Sequence, residues 1–153
     1  MSGVIVRLRD AMTEDSRAER LISTYDGCSD PEGQRFLAGE AMEGELENLS
    51  RTYLAVDSES DRVVGYFTIL AADGCTFDHP AYTIHRIGAE GPAELEEALI
   101  RSAAQLFCEC GKTVGSCSVT ARCDDGRVCE YERAGFMRLC RDENGMNVMG
   151  LEV

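Results

Sequence analysis

The sequence has no apolar run long enough to cross a membrane, and residues 1–7 do not resemble a signal peptide. We therefore expect a cytoplasmic protein without a membrane partner. Its 153 residues, 44% hydrophobic and 28% charged, are typical of a soluble globular protein. This length predicts a single domain over residues 1–153 that buries a core of its own.

Positive charge is also scarce, because 15 Lys and Arg residues face 28 Asp and Glu residues, for a net charge of −13. Residues 26–61 contain ten acidic residues and only Arg35 and Arg51. A surface this acidic repels phosphate backbones, so the sequence predicts no nucleic-acid partner and favours a cationic small-molecule or peptide amine as acceptor. Alternatively, the carboxylates only keep the protein soluble.

The sequence has only two histidines, and its cysteines are not spaced as metal ligands. His79 and His85 are far in sequence from Cys108 and Cys110, which lack the two-residue spacing of common zinc knuckles. We therefore predict no metal site, and we expect reduced thiols in the cytoplasm. The eight cysteines are Cys28, Cys75, Cys108, Cys110, Cys117, Cys123, Cys129 and Cys140. Several of them occupy positions of the apolar pattern, where Cys acts as a small hydrophobic residue.

Hydrophobic periodicity and turn residues predict the element order βααβββαβαββ. The predicted strands cover residues 4–9, 52–57, 62–72, 82–89, 115–121, 136–141 and 146–153. The predicted helices cover residues 13–23, with Thr13 as its cap, then 31–49, 92–110 and 126–134. Gly39 and Gly44 weaken the second of these helices.

The most informative run is Tyr131-Glu132-Arg133-Ala134-Gly135-Phe136. It predicts the end of a helix, a glycine that stops it, and a strand that enters the core. A tyrosine at the end of such a helix can point its phenol into a cleft and donate a proton.

This run and the element order together resemble the GNAT superfamily of acyl-CoA-dependent N-acyltransferases. Residues 53–57 and 63–67 are similar to the central hairpin of that family, residues 84–100 to its cofactor strand and helix, and residues 124–136 to its closing unit. The resemblance implies an α+β fold with a mixed sheet, and an N-acetyltransferase that uses acetyl-CoA or another acyl-CoA.

The resemblance also implies catalytic roles. Tyr131 matches the general acid, since a phenol with a pKa near 10 can protonate a thiolate whose thiol has a pKa near 8.5; alternatively it only packs under the sheet. The general base is Glu90 at the exit of the cofactor strand, His85 on the face of that strand shared with Ile87, or a water molecule.

For the cofactor, the resemblance implies that Ile87, Gly88 and Ala89 pair with the pantetheine amides. It also places Gly91 and Ala93 at the pyrophosphate and Asp124 in the cofactor site. Residues 90–97 depart from the family pattern, because the loop is short and Glu94, Glu96 and Glu97 would repel a pyrophosphate at the helix N-terminus. We therefore expect weak, altered or lost CoA binding.

A degenerate, non-catalytic GNAT-like domain that acts as a binding or regulatory module is the alternative. An exposed strand near the C-terminus would allow a homodimer. Residues 26–53, which include Arg35-Phe36-Leu37 and Ser50-Arg51-Thr52-Tyr53, are similar to the branch of GNAT toxins that acetylate aminoacyl-tRNA. The acidic charge argues against that substrate and leaves the acceptor open.

Overall fold

The computed structural model describes residues 3–72, 80–115 and 117–153; Cys75 and His79 lie outside them. The strands are β1 (Gly3–Arg7), β2 (Ser50–Asp57), β3 (Arg62–Ala71), β4 (Ala81–Ala89), β5 (Ser118–Cys123), β6 (Met137–Arg141) and β7 (Asn147–Glu152). The helices are α1 (Leu8–Ala11), α2 (Arg17–Ser23), α3 (Pro31–Ala38), α4 (Glu40–Leu46), α5 (Ala93–Val114) and α6 (Val128–Arg133), with a 3-10 turn at Asp125–Arg127 before α6.

The strands form a seven-stranded mixed sheet in the order β1-β2-β3-β4-β5-β7-β6. The β4–β5 pair is parallel, whereas β1–β2, β5–β7 and β6–β7 are antiparallel. The predicted α+β class with a mixed sheet is therefore confirmed. The chain divides into two compact units, and β3, β4 and α5 contribute residues to both.

The first unit contains Met1–Ile69 and Arg86–Leu99. In it, β1 pairs with β2 from Gly3↔Asp57 to Arg7↔Tyr53. Four short helices then bury their apolar side chains against residues of these strands and of β3. The core of this unit includes Leu8, Leu21, Tyr25, Leu37, Leu54, Val63 and Tyr66, all at most 2% exposed.

The helices of the first unit differ from the prediction in their boundaries. The chain turns into α1 at Leu8, so the strand expected to reach residue 9 stops at Arg7. Thr13 does not cap a helix: its hydroxyl donates to the carbonyl of Asp10 at 2.7 Å, and α2 begins after Ser16. The helix expected over residues 31–49 is two helices, because Gly39 leaves the helical conformation with φ −124° and ψ −75°.

The second unit contains Leu70–His85 and Ile100–Val153. Here β5 pairs with β7 from Ser118↔Glu152 to Cys123↔Asn147, and β6 pairs with β7 with an irregularity between Arg138 and Cys140. Its core includes Ile100, Ala103, Phe107, Val119, Ala121, Tyr131, Phe136 and Met149, none more than 4% exposed.

The seven cysteines in the described part of the chain carry free thiols, of which Cys117 and Cys123 are buried. In residues 3–72, 80–115 and 117–153, no group of three or more His, Cys, Asp or Glu residues is placed to hold a metal ion. No helix among these same residues has the length and apolar character needed to cross a membrane.

Candidate active site

Tyr131 lies in the last turn of α6, at a helix end that Gly135 closes. The Phe136 N–H donates to the Tyr131 carbonyl and the Gly135 N–H to the Glu132 carbonyl, each at 3.0 Å, while Gly135 has φ +104°. This pair of bonds is the Schellman motif, in which glycine takes the left-handed conformation at low cost. The predicted helix end and glycine stop are therefore present.

The strand that follows does not enter the core as predicted. Phe136 is 2% exposed and meets the Tyr131 ring edge-on, with the ring centroids 5.3 Å apart. All five residues of β6 itself are exposed, because β6 is the outermost strand of the sheet. Tyr131 is also only 2% exposed, so its ring packs in the core of the second unit.

A polar link holds the turn that precedes α6. Asp125 accepts a hydrogen bond from Asn147 Nδ2 at 2.9 Å and pairs with Arg141 at 3.0 Å. The pKa of Asp125 is lowered mainly by the hydrogen bond from Asn147 and, to a smaller extent, by the charge of Arg141. Asp124, predicted at the cofactor, is exposed at the start of this turn and makes no side-chain capping bond.

The end of β4 carries the largest group of predicted site residues: Ile87, Gly88, Ala89, Glu90, Gly91 and Ala93, all in the first unit. The Glu90 N–H donates to the Val64 carbonyl at 2.8 Å, which ties this end to β3. The β4–β5 pairing runs from Ala81↔Ser118 to Ile84↔Ala121, so Ile87–Ala89 lie beyond the part of β4 that pairs with β5.

Glu90 is a largely buried carboxylate whose two oxygens have different surroundings. Its Oε2 pairs with Arg62 at 2.8 Å, whereas its Oε1 is buried without a hydrogen-bond partner among the described residues. Burial raises the pKa of Glu90 above its ordinary value, and the Asp26 backbone N–H and the Arg62 guanidinium oppose this shift. Such a carboxylate takes up a proton more readily than an exposed one.

His85, the other candidate base, is exposed on β4 and belongs to the second unit. The structure therefore groups Glu90 with the candidate cofactor residues of the first unit, and it groups His85, Asp124 and Tyr131 in the second unit.

The segment between β4 and α5 is short and open. Gly91 has φ +113°, and no atom of the described residues lies within 4 Å of the position that a Cβ would occupy there. The Leu95 N–H donates to the Pro92 carbonyl at 3.0 Å, and α5 begins at Ala93 with Glu94 and Glu96 in its first turn. Glu94 is exposed, which agrees with the acidic helix start expected from the sequence.

Sequence reasoning missed a polar cluster of the first unit, formed by Tyr25, Asp30, Tyr66 and Arg86, which we call the Asp30 cluster. Asp30 Oδ2 accepts hydrogen bonds from the Tyr25 hydroxyl at 3.0 Å and the Tyr66 hydroxyl at 3.5 Å. Arg86 Nε donates to the Tyr66 hydroxyl at 3.4 Å. Asp before Pro31 does indicate a helix start, but nothing in the sequence indicates the two distant phenols.

No protein-family model and no curated protein matches the sequence. Solved structures do match it along almost its whole length. A crystal structure of AtaTR bound with AcCoA is 20% identical with a TM-score of 0.71, and the match covers 98% of this chain and 92% of that one. A crystal structure of a KacT mutant is 19% identical with a TM-score of 0.72, covering 99% and 95%.

The chain has the GNAT fold. A further GNAT-fold neighbour is AtaT complexed with acetyl-methionyl-tRNAfMet, 15% identical with a TM-score of 0.72, with coverage of 96% of this chain and 94% of that one. Other neighbours are a KacTA–DNA complex and AtaT bound to the C-terminus of the antitoxin AtaR.

The expectation of a small cationic amine acceptor and of no nucleic-acid partner was wrong, because neighbours with the same fold are seen with nucleic acid: KacTA with DNA and AtaT with acetyl-methionyl-tRNAfMet. The inference used the net charge of the whole molecule. Phosphate contacts depend instead on the few cationic side chains at a binding face. Arg7, Arg20 and Arg35 are exposed, and their side chains join no ion pair in the part of the chain that the structure describes.

Proposed function

We propose that this protein transfers the acetyl group of acetyl-CoA to the α-amine of an aminoacyl-tRNA. The match to AtaT complexed with acetyl-methionyl-tRNAfMet, over 96% of this chain, is the observation that supports it most directly. The match to AtaTR bound with AcCoA supports the acetyl donor. Both substrates occur in the cytoplasm, where we expect the protein to act as a single domain.

In this reaction the neutral amine attacks the thioester carbonyl, the C–S bond breaks, and CoA leaves as a thiolate. The amine nitrogen must lose a proton, and the thiolate must gain one. Tyr131 donates the proton to the thiolate in our proposal. Glu90 takes the proton from the amine; its raised pKa and unpartnered Oε1 favour it over the exposed His85.

In our proposal the backbone of Ile87, Gly88 and Ala89 binds the pantetheine arm, and Gly91 and Ala93 lie at the pyrophosphate. The N-terminus of α5 attracts an anion by about 0.3–1 kcal/mol per charge. Glu94 and Glu96 in the same turn oppose it, so we expect weak binding of acetyl-CoA.

The acidic start of α5 is also the observation that favours the alternative, a GNAT-fold module without catalysis. Titration calorimetry with acetyl-CoA distinguishes the acetyltransferase from the module without catalysis. Binding at micromolar to millimolar concentration supports the enzyme, and absence of heat at millimolar acetyl-CoA supports the module.

The activity itself is tested with radiolabelled acetyl-CoA and a mixture of tRNAs that carry all amino acids. The proposal predicts label in N-acetylated aminoacyl-tRNA, with no label in the same tRNAs after their amino acids have been removed. Label in free amines or peptides, and none in aminoacyl-tRNA, would contradict it.

A further inference from the structure

The carboxylate of Asp30 is held in place by neutral groups alone. Its Oδ1 accepts the Gly33 N–H at 3.0 Å at the start of α3, and its Oδ2 accepts the phenols of Tyr25 and Tyr66. Both phenols belong to rings that are only 1% exposed. These direct hydrogen bonds all come from neutral donors, whereas the Arg86 charge reaches Asp30 through the Tyr66 hydroxyl.

No ion pair among the described residues includes Asp30. The nearest cation of the Asp30 cluster, Arg86, is used elsewhere: its guanidinium lies 5.4 Å from the Phe36 ring centroid and 4.0 Å from Glu32. The pKa of Tyr25 is raised, first by burial and then by the charge of Asp30, with a weaker effect of the Glu90 charge. This phenol therefore remains a neutral donor. Asp30 therefore carries a half-buried negative charge with no cation in direct contact among the described residues.

Two glycines make room for this carboxylate. A Cβ added to Gly33 or to Gly88 would collide with Asp30 Oδ2, and at Gly88 it would also lie 2.8 Å from the Tyr66 ring. Asp30 therefore packs directly against the backbone of β4 at Gly88, within the segment to which we assign the pantetheine arm.

We propose that Asp30 binds the protonated α-amine of the aminoacyl group, with Tyr25 and Tyr66 fixing the carboxylate that receives it. This inference rests on the proposed function and specifies how the acceptor is recognised. An ammonium supplies a positive charge in direct contact with Asp30, which Arg86 does not, and can donate to a carboxylate oxygen.

The test compares methionyl-tRNA with N-acetyl-methionyl-tRNA, in which an added acetyl group removes the charge of that amine. Their affinities for the wild-type protein and for Asp30→Asn are measured without acetyl-CoA. Asn keeps the shape and the helix-capping role, so α3 is preserved. The control variant is Glu40→Gln, which removes one exposed acidic group of the same unit.

We expect Asp30→Asn to bind methionyl-tRNA roughly tenfold or more weakly, in line with a charge-assisted hydrogen bond. Its affinity for N-acetyl-methionyl-tRNA and the affinities of Glu40→Gln should stay within about twofold of wild type. Asp30→Ser, another good helix cap, should repeat the result and replaces Asp30→Asn if that variant does not fold.

Equal losses for the two ligands, or no loss for either, would overturn the role of Asp30 while leaving the acetyl transfer intact. If wild-type protein neither binds methionyl-tRNA nor acetylates any aminoacyl-tRNA, the proposed function itself fails, and the role of Asp30 fails with it.

Discussion

At the scale of single residues, the environment of Glu90 leads to a pH prediction. The Arg62 guanidinium lowers the pKa of Glu90 against the larger effect of burial, so Arg62→Gln should raise this pKa further. A general base acts only above its pKa. We therefore expect the acidic limb of the kcat/KM profile for acetyl transfer to move to higher pH.

Arg17→Gln is a suitable control, because it removes an exposed arginine that pairs with Glu14 in the same unit. Its profile should match that of the wild type. An acidic limb that stays in place, or moves to lower pH, in Arg62→Gln would argue against Glu90 as the base.

The buried thiols should differ sharply from the exposed ones. Burial, with a smaller effect of Asp124 and Asp125, raises the pKa of Cys123 to about 11. At pH 8 about one Cys123 in a thousand is then a thiolate, the reactive form. We expect iodoacetamide to modify Cys108, Cys110, Cys129 and Cys140 in the folded protein well before Cys123.

Peptide mapping by mass spectrometry after timed alkylation measures these rates, with denatured protein as the reference in which all thiols react. Modification of Cys123 at the rate of the exposed thiols would show that this part of β5 opens readily or is not buried.

At the scale of elements, the glycine that closes α6 should carry a measurable share of stability. Gly135 has φ +104°, where an L side chain is strained, and Ala there should cost about 1–2 kcal/mol. Urea unfolding of Gly135→Ala measures this loss as a lower midpoint. The control is Gly126→Ala, where the added Cβ would meet Asp124 Oδ1 at 3.4 Å and no other atom of the described part of the chain within 4 Å.

A loss of stability in Gly135→Ala no larger than that in Gly126→Ala would contradict the left-handed helix end.

The end of α6 is also the element that the sequence predicted best. The Tyr131–Phe136 run contains its own stop signal, so helix, turn and glycine follow from local rules. The exposure of β6 could not be foreseen, because it depends on the position of β6 at the sheet edge.

The helices between β1 and β2 were harder to predict for the same reason. Pro31 correctly marked a helix start, and Gly39 marked the break that divides one predicted helix into two. Two backbone features depend on packing with distant residues: the left-handed conformation of Ser16 before α2 and the start of α1 at Leu8. They accompany the burial of Leu8 and Leu21, whose side chains are at most 2% exposed. The Asp30 cluster joins residues up to 61 positions apart in sequence, so no local pattern indicates it.

At the scale of the whole molecule, the fold was predictable and the acceptor was not. The order of strands and helices was enough to predict the GNAT fold, because each of these elements has a sequence pattern of its own. Net charge failed as a guide to the partner, since a sum of −13 says nothing about where single arginines lie. The acetyl donor and the acceptor that we propose are thus supported by structural likeness.

The most direct measurement is a single turnover of acetyl transfer with enzyme in excess over methionyl-tRNA, followed by mass spectrometry of the released amino acid. Wild-type protein and a Tyr53→Phe control should yield N-acetyl-methionine at similar rates. Tyr131→Phe should be slower by about 10²–10⁴-fold, the usual share of a general acid. Acetyl transfer by Tyr131→Phe at the wild-type rate would contradict the role of Tyr131, and no acetyl-methionine or other acetylated amino acid from any tRNA would contradict the function itself.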